Sequence, residues 1–478
     1  MKSKDSKSVS NNNSEKKAIL SVVYIFVGLF VLMMGYFTYF LLVKRDDVVN
    51  STYNLRHDVL SKRIIRGKIL SSDGKVLAET ITDDEGNEIR AYPYKDMYAN
   101  VVGRVARGRT GIEEVENITL LTTYSKSPDA MYNDLVGVKN PGNNVVSTLN
   151  HKLTKLAYDA LGNDRGAVVV IEPKTGKILT MVSKPSYDPN EIEYNWDKLT
   201  EDIDNKSPLL NRASQGLYPP GSTFKLLTAL AYMRDNPDYM DYEYKCVGHT
   251  EYEGMRISCS GNKVHGRLDL KQAFAKSCNS SFSSIGKNIS IDDFRSLSES
   301  FFFNQPLPAR VVNNPSSFLL KVGESGVKEA MQTAIGQGRT LITPLHNAMI
   351  TAAVANDGVI MKPYVIDHIE SAGGRILKGY IPEEASRVMT VKEANYLKSL
   401  MRAVVTEGTA KRLQNLDVKV AGKTGTAETE GATSHAWFVG FAPLNDPEIV
   451  ISVIVENKGS GSEYAVPIAE KIFDAYFD

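Results

Sequence analysis

Little in this chain of 478 residues points outward. Lysine plus arginine equal aspartate plus glutamate, at 56 each. No basic surplus argues for nucleic acid as a partner, and no acidic block argues for a solvating tail. No internal repeat is visible, which excludes the stacked-repeat architectures. Cysteines number only three, Cys246, Cys259 and Cys278, too few for a scaffold held by disulfides. The seven histidines are scattered. Cys246 and Cys259 are separated by twelve residues with one histidine between them, which is not zinc-ligand spacing. On spacing alone the expectation is no metal site.

A further absence is local. From Ala18 to Val43 there is no charged residue across 26 positions. As a helix that run would span roughly 39 Å at about 1.5 Å per residue, and a bilayer core needs only about 20 residues. A signal peptide would have a shorter apolar run ending in small residues, whereas this one ends FLLVKRDD. The expectation is one uncleaved membrane anchor over 18–43 behind a polar tail over 1–17. Its orientation is not readable from charge. Lys2, Lys4, Lys7, Lys16 and Lys17 precede it, and Lys44, Arg45, Arg56, Lys62 and Arg63 follow, an even balance. A bridge between Cys246 and Cys259 would close a loop of about fourteen residues, contribute roughly 3 kcal/mol and imply an oxidising compartment. Two unrelated thiols are the other reading of that pair.

What is present falls into two modules. Residues 44–150 form the first. Within it, Arg63–Thr80 (RIIRGKILSSDGKVLAET) reads as a β-hairpin, with apolar alternation on both sides of Ser-Asp-Gly. Gly108–Asn117 reads as a loop entering a short helix. No catalytic constellation is visible there, so a β-rich pedestal or interaction module is expected. Residues 151–478 form the second module. Gly166–Ser183 (GAVVVIEPKTGKILTMVS) is a hairpin signal, and helical patterning dominates the middle, about 225–396. Asp417–Glu428, His435–Pro443 and Glu448–Asn457 read as three strands, and Val466–Phe477 closes as an amphipathic helix. Strands from both ends of a module with helices between them imply an α+β domain, an antiparallel sheet covered by helices.

The chemistry centres on PPGSTFKLLTAL, Pro219–Leu230. Ser-x-x-Lys occurs six times in the chain, starting at Ser14, Ser72, Ser222, Ser260, Ser284 and Ser325, so the pair alone decides nothing. At Ser222 the context differs. Two prolines end whatever precedes them, Gly221 allows a tight entry, and an apolar run follows. Ser222 would sit in the first turn of a buried helix, with Lys225 on the same face. For Lys225 to act as the base its pKa must fall from about 10.4 to near neutrality, which takes burial or a second cation. The bland reading is a serine cap with a solvated lysine. Two further matches change the balance: Ser277-Cys278-Asn279, 55 residues after Ser222, and Lys423-Thr424-Gly425, 146 residues after Ser277. Serine and asparagine two apart in a turn can aim a hydroxyl and an amide at one point. Lys423 can supply the second cation, Thr424 can bind a carboxylate, and Gly425 admits a substrate backbone. A second Lys-Thr-Gly at Lys174–Gly176 belongs to the hairpin turn and carries no chemistry. The ordered triple is specific where its parts are not.

With those residues in view, the sequence resembles the penicillin-binding proteins that act as peptidoglycan D,D-transpeptidases. The resemblance covers most of the chain: the single anchor, RGKILSSDGKVLAE, GAVVVIEPKTGKILTMVSKPSYDPN, YPPGSTFK, AIGQGRTLITPLHNAMITAAVANDG and KTGTAE. It is similar to the monofunctional class B members, since the stretch between anchor and second module is too short for a glycosyltransferase domain. STYNLR and the short first module resemble the small penicillin-binding protein A group. The resemblance implies that Ser222 attacks the penultimate D-Ala carbonyl of a stem peptide and that Lys225 takes its proton. Ser277 would relay a proton to the leaving amine, and Asn279 would orient Lys225 and the peptide amide. Lys423 would tune the site and Thr424 would hold the terminal carboxylate beside Gly425. The N–H groups of Ser222 and Thr426 would form the oxyanion hole. It implies no metal or organic cofactor, β-lactams as covalent inhibitors, a polytopic membrane glycan polymerase as partner, and a catalytic domain outside the membrane with the N-terminus cytoplasmic. Gly336-Gln337-Gly338 belongs to the family pattern and is not a phosphate loop. Two alternatives share the motifs or the fold: a serine β-lactamase, which the anchor and first module disfavour, and a non-catalytic cell-wall scaffold, which would not need both Ser222 and Lys225.

Overall fold

A computed structural model describes residues 5–44, 60–124, 128–202, 206–429 and 431–478. STYNLR (51–56) and the tail and post-anchor cations Lys2, Lys4, Arg45 and Arg56 lie outside the described residues. The chain divides into two units, Met1–Leu60 and Ser61–Asp478.

Among its described residues the first unit carries a long helix, Asp5–Tyr39, whose last turn widens over Phe40–Lys44. Within it Lys16–Leu42 has a mean hydropathy of 2.5 and exposes its apolar side chains all round. A helix apolar on every face and buried by nothing is what a lipid-facing segment looks like. The expected span of 18–43 agrees within two residues at its start and one at its end.

In the second unit the expected hairpin forms. Ile69–Leu70 pairs antiparallel with Val76–Thr82 across a turn in which Gly74 adopts φ +79°. These strands belong to a six-stranded sheet that runs Ile376–Gly379, Ile366–Glu370, Asn144–Ser147, Ile69–Leu70, Val76–Thr82, Glu88–Ala91. Two of its strands come from after residue 360, so a boundary at 150 cuts through a sheet that the chain completes later. Alternation could not reveal this, because pairing across more than 200 residues leaves no local trace. The short helix Gly111–Val115 is tied to the hairpin by charge. Fully buried Glu113 takes Arg66 Nε at 2.7 Å on one oxygen and Arg90 Nε at 2.7 Å on the other. Burial alone would push the Glu113 carboxyl up. The two guanidiniums outweigh it and hold the group below the usual range.

The catalytic-type module is built on five strands: β1 (Gly166–Ile171), β2 (Ile178–Lys184), β3 (Ala421–Thr429), β4 (Ala432–Ala442) and β5 (Ile449–Val455). They are antiparallel in the order β3-β4-β5-β1-β2. Every residue of β1 and β5 is buried. Since neighbouring side chains point to opposite faces, both faces of the sheet are covered. Among its helices are α1 (His151–Leu161), α2 (Lys225–Asp235), α3 (Asn279–Asn288), α4 (Pro344–Ala355), α5 (Val391–Thr406) and α6 (Val466–Phe477). Helix α4 starts at a Thr343 cap with proline in its first turn, and all twelve of its residues are buried. That is the pattern of a helix enclosed by the core. The helical middle also contains short strands that the periodicity missed, Tyr244–Cys246, His249–Tyr252, Met255–Ser258 and Gly266–Leu268. Each is too short for an alternating pattern to register. Strand β3 lies at the sheet edge, so one side of its backbone faces the cleft.

Candidate active site

Pro219 and Pro220 lead into Gly221, whose φ of +53° suits glycine. A Cβ on Gly221 would stand 2.7 Å from the Thr426 carbonyl oxygen of β3. The chain then makes a tight 3-10 turn, Gly221–Phe224, before α2 begins at Lys225. Ser222 therefore lies in that turn, one step ahead of the α-helix proper. Trp437 on β4 donates its indole N–H to the Pro219 carbonyl at 3.0 Å, and Tyr218 packs edge-on against Trp437. From the other side, Gly221 N–H donates to the Gly336 carbonyl at 2.9 Å. A Cβ on Gly336 would lie 1.8 Å from the Gly221 carbonyl oxygen. The Gly-Gln-Gly stretch thus buttresses the turn that carries Ser222.

Lys225 is fully buried. Its Nζ lies 3.1 Å from Ser222 Oγ, 2.7 Å from Asn279 Oδ1, 2.9 Å from the Ser277 carbonyl and 3.3 Å from Ser277 Oγ. Burial lowers its pKa to about 7, against the pull of the nearby Cys278 and Cys259 sulphurs. This is the environment that the sequence reading required of a lysine base. Ser277 holds φ +53°, an uncommon conformation for a residue with a side chain. Cys278 caps α3, its sulphur accepting the Ser281 N–H. Asn279 also donates its amide to the Ser258 carbonyl at 3.1 Å, so neither end of the amide is idle.

Lys423, fully buried on β3, reaches Ser277 Oγ at 2.9 Å and the Thr424 carbonyl at 2.8 Å. Burial, and secondarily the charge on Lys225, hold its pKa well below the ordinary lysine value. Thr424 shares a hydrogen bond with Thr409. A Cβ on Gly425 would press on Trp437, Thr223 and Pro220 at 3.0–3.2 Å. Thr426 is exposed at the strand edge beside Gly221. Ser222, Ser277, Asn279, Thr424 and Thr426 line one cleft of about 1150 Å³. The second Lys-Thr-Gly sits in the β1–β2 turn, where Gly176 takes φ +83°, away from that cleft.

Sequence reasoning missed Thr409, the Ser258 carbonyl and the Gly336 buttress. Thr409 lies in Glu-Gly-Thr-Ala, which has no pattern to notice, and a carbonyl has no sequence signature. Gly336 was visible as part of a family pattern, without a reason for it.

The cysteine expectations need correction. Cys246 and Cys259 are both free, with sulphurs 3.7 Å apart, too far for a bond of about 2.05 Å. Nor are they an isolated pair. Cys278 Sγ is 3.7 Å from Cys259 Sγ, and His265 Nδ1 is 3.5 Å from Cys246 Sγ. These four residues form a set able to hold a metal ion. Spacing concealed it because the histidine lies beyond the second cysteine and the third cysteine sits inside the Ser-x-Asn motif.

Known proteins resemble this chain over most of its length. The family profile described as penicillin binding protein transpeptidase domain matches residues 166–474, and that described as penicillin binding protein A dimerisation domain matches 66–145. The chain is 32% identical over 455 residues to the peptidoglycan D,D-transpeptidase PbpA of Mycolicibacterium smegmatis, covering 87% of this chain and 91% of that one. Penicillin-binding protein A of M. tuberculosis, solved as an imipenem acyl-enzyme complex, superposes with a TM-score of 0.79 at 29% identity, covering 88% of this chain and all of that one. The D,D-transpeptidase domain of a peptidoglycan glycosyltransferase from Eggerthella lenta superposes with a TM-score of 0.78 at 30% identity, covering 87% of this chain and 98% of that one.

Proposed function

The chain belongs to the penicillin-binding protein transpeptidase family, and on that premise we propose that it cross-links peptidoglycan stem peptides through an acyl-enzyme on Ser222. Ser222 Oγ attacks the carbonyl of the penultimate D-Ala as its proton passes to Lys225. The tetrahedral oxyanion is held by the backbone N–H groups of Ser222 and Thr426, a contribution of about 3 kcal/mol per donor in comparable sites. As the carbon–nitrogen bond breaks, Ser277 passes a proton to the leaving D-Ala amine. An amine of a neighbouring stem then attacks the ester, forms the cross-link and returns the proton to Ser222. Asn279 orients Lys225 and the peptide amide, Lys423 tunes Ser277, and Thr424 holds the terminal carboxylate. Gly425 lets β3 pack closely against Trp437 and the turn that carries Ser222, and the exposed edge of β3 at Thr426 is open to the peptide backbone, which can pair with it as an added strand.

The observation that carries this reading is the approach of the buried Lys225 amine to Ser222 at 3.1 Å, with Asn279 and Ser277 as its other neighbours. β-Lactams mimic the scissile amide and acylate the same serine. The relatives named transpeptidase, and the acyl-enzyme structures, fit this activity and neither a β-lactamase nor a scaffold.

The apolar helix at the N-terminus is a candidate single-pass anchor. Because the substrate lies outside the membrane, we place the second unit there and the tail before the anchor in the cytoplasm. The first module, 44–150, carries no catalytic constellation, and with the anchor it is the surface we assign to a polytopic glycan polymerase. The test of the catalytic reading is the intact mass of the full chain in detergent after incubation with benzylpenicillin. A lasting adduct on Ser222 is expected. Rapid consumption of the penicillin without an adduct would indicate a β-lactamase.

A further inference from the structure

We propose that Cys246, Cys259, His265 and Cys278 form a closed tetrahedral site for a divalent zinc-class metal ion, which clamps the Ser277-Cys278-Asn279 turn from behind. The geometry carries the inference. Zinc–sulphur bonds of about 2.3 Å and zinc–nitrogen bonds of about 2.0–2.1 Å give a tetrahedron with sulphur–sulphur edges of roughly 3.7–3.8 Å and sulphur–nitrogen edges of roughly 3.5 Å. The observed Cys246–Cys259 and Cys259–Cys278 separations are both 3.7 Å, and Cys246–His265 is 3.5 Å. All four ligand atoms lie within 4.8 Å of one another. Sulphurs in van der Waals contact also stand about 3.7 Å apart, so it is the convergence of four ligand-type side chains, His265 with three cysteines, that marks the set as a site.

The surroundings support the same reading. The Gly248 N–H donates to Cys246 Sγ at 3.4 Å and the Ser281 N–H to Cys278 Sγ at 3.4 Å. Backbone donors of this kind stabilise thiolate ligands and fix their direction. All three cysteines are buried. Four protein ligands leave no open position, so the ion would be structural and would take no part in the reaction.

The local architecture also has need of a tie. Cys246 ends the strand Tyr244–Cys246, Cys259 follows Met255–Ser258, His265 precedes Gly266–Leu268, and Cys278 precedes α3. These strands form isolated two-stranded pairs of three or four residues, and such pairs are marginal on their own. The site would join them to one another and to the turn that carries Ser277, which is held at φ +53°. On binding, each cysteine gives up its thiol proton, so uptake of one ion releases protons to the buffer. A Cys246–Cys259 disulfide is the competing state and excludes the ion.

The experiment uses the full chain in detergent micelles, reduced, freed of metal with a chelator and titrated with Co²⁺, then with Zn²⁺. One equivalent of Co²⁺ is expected, with the absorption of a tetrahedral thiolate complex, displaced by one equivalent of Zn²⁺. His265→Ala and Cys246→Ser should each weaken Zn²⁺ binding more than about 100-fold, beyond what loss of an outer partner does. His249→Ala should leave binding unchanged. The benzylpenicillin adduct reports whether each variant is folded. The cobalt spectrum of the unaltered chain stands by itself should the variants not fold. Absence of the thiolate absorption, binding indifferent to His265, or a Cys246–Cys259 disulfide in the protein as isolated from its membrane would each overturn the proposal.

Discussion

Lys423 on β3 meets Ser277 at the head of α3, Nζ to Oγ 2.9 Å, although the two residues stand 146 positions apart. The same hydroxyl lies 3.3 Å from Lys225 Nζ. Ser277 therefore sits between two buried amines. If both were fully charged, neither would find enough compensation, and both are held below the ordinary lysine range. A hydroxyl placed between two amines of this kind can pass a proton in either direction. That is what a reaction needs when its first half removes a proton from a serine and its second half returns one.

Replacing Ser222 by alanine is expected to abolish the benzylpenicillin adduct, while replacing Ser284 by alanine leaves it intact. Ser284 also begins a Ser-x-x-Lys, but it lies within α3. Mass spectrometry of the two variants separates motif from context. Survival of the adduct without Ser222 would remove the nucleophile from the scheme.

Lys225→Ala is expected to slow acylation by about 10²–10⁴-fold, the usual contribution of a positioned base. The pH dependence has a definite sign. Burial lowers the Lys225 pKa to about 7, so the amine is neutral and able to accept a proton above that pH and charged below it. The acylation rate should fall about tenfold per pH unit below the pKa and level off above it. Stopped-flow acylation with a chromogenic cephalosporin reads the profile. A profile flat from pH 5 to pH 9 would require a different base.

Much of the fold was legible where the pattern is local. The hairpin at Gly166–Ser183, the three C-terminal strands and the closing helix all leave alternation or helical spacing in the sequence. The site was legible as an ordered set of motifs, and each of them places at least one residue, Ser222, Ser277, Asn279 or Thr424, on one cleft. What stayed hidden was set by long-range placement. Strands Ile366–Glu370 and Ile376–Gly379 return to complete the sheet of the first module, and no periodicity announces a partner that far away. His265 meets Cys246, and Cys259 meets Cys278, only in the folded chain. Thr409 acquires meaning only from Thr424.

Glu113→Ala in the first module is expected to cost about 3–5 kcal/mol, because it leaves two buried guanidiniums without their counter-charge. Arg66 and Arg90 are 10% and 9% exposed at the side chain and Glu113 not at all. Since the folded-state carboxyl is held below its ordinary value of 4.5, its contribution is full above that pH and is lost as pH falls through the folded value. Thermal melts from pH 7 to pH 3 should show the wild type losing its advantage over Glu113→Ala at the acid end. A constant difference across that range would mean that packing, not charge, holds the helix to the hairpin.

Gly336→Ala and Gly338→Ala should separate strain from contact. Both glycines have positive φ, +75° and +79°, so each substitution carries a backbone cost of about 1–2 kcal/mol. Only at Gly336 does the new Cβ strike the Ser222 turn, 1.8 Å from the Gly221 carbonyl oxygen; at Gly338 the nearest atom is 3.7 Å away. Acylation should slow markedly in the first variant and stay near wild type in the second. Equal effects would deny the Gly-Gln-Gly loop its part in holding the nucleophile.

Thr409→Val tests a residue that structure alone brought to the site. Its hydroxyl bonds Thr424, the group assigned to the substrate carboxylate. Valine keeps the shape and removes the hydrogen bond, a loss of about 1 kcal/mol or somewhat more, or roughly five- to tenfold. If Thr424 acts by gripping a carboxylate, the loss should appear in the concentration of β-lactam needed for half-maximal acylation, with the limiting rate nearly unchanged. Thr409→Ser should restore binding. A fall in the limiting rate at unaltered half-saturation would instead place Thr409 with the proton-transfer groups and take the carboxylate away from Thr424.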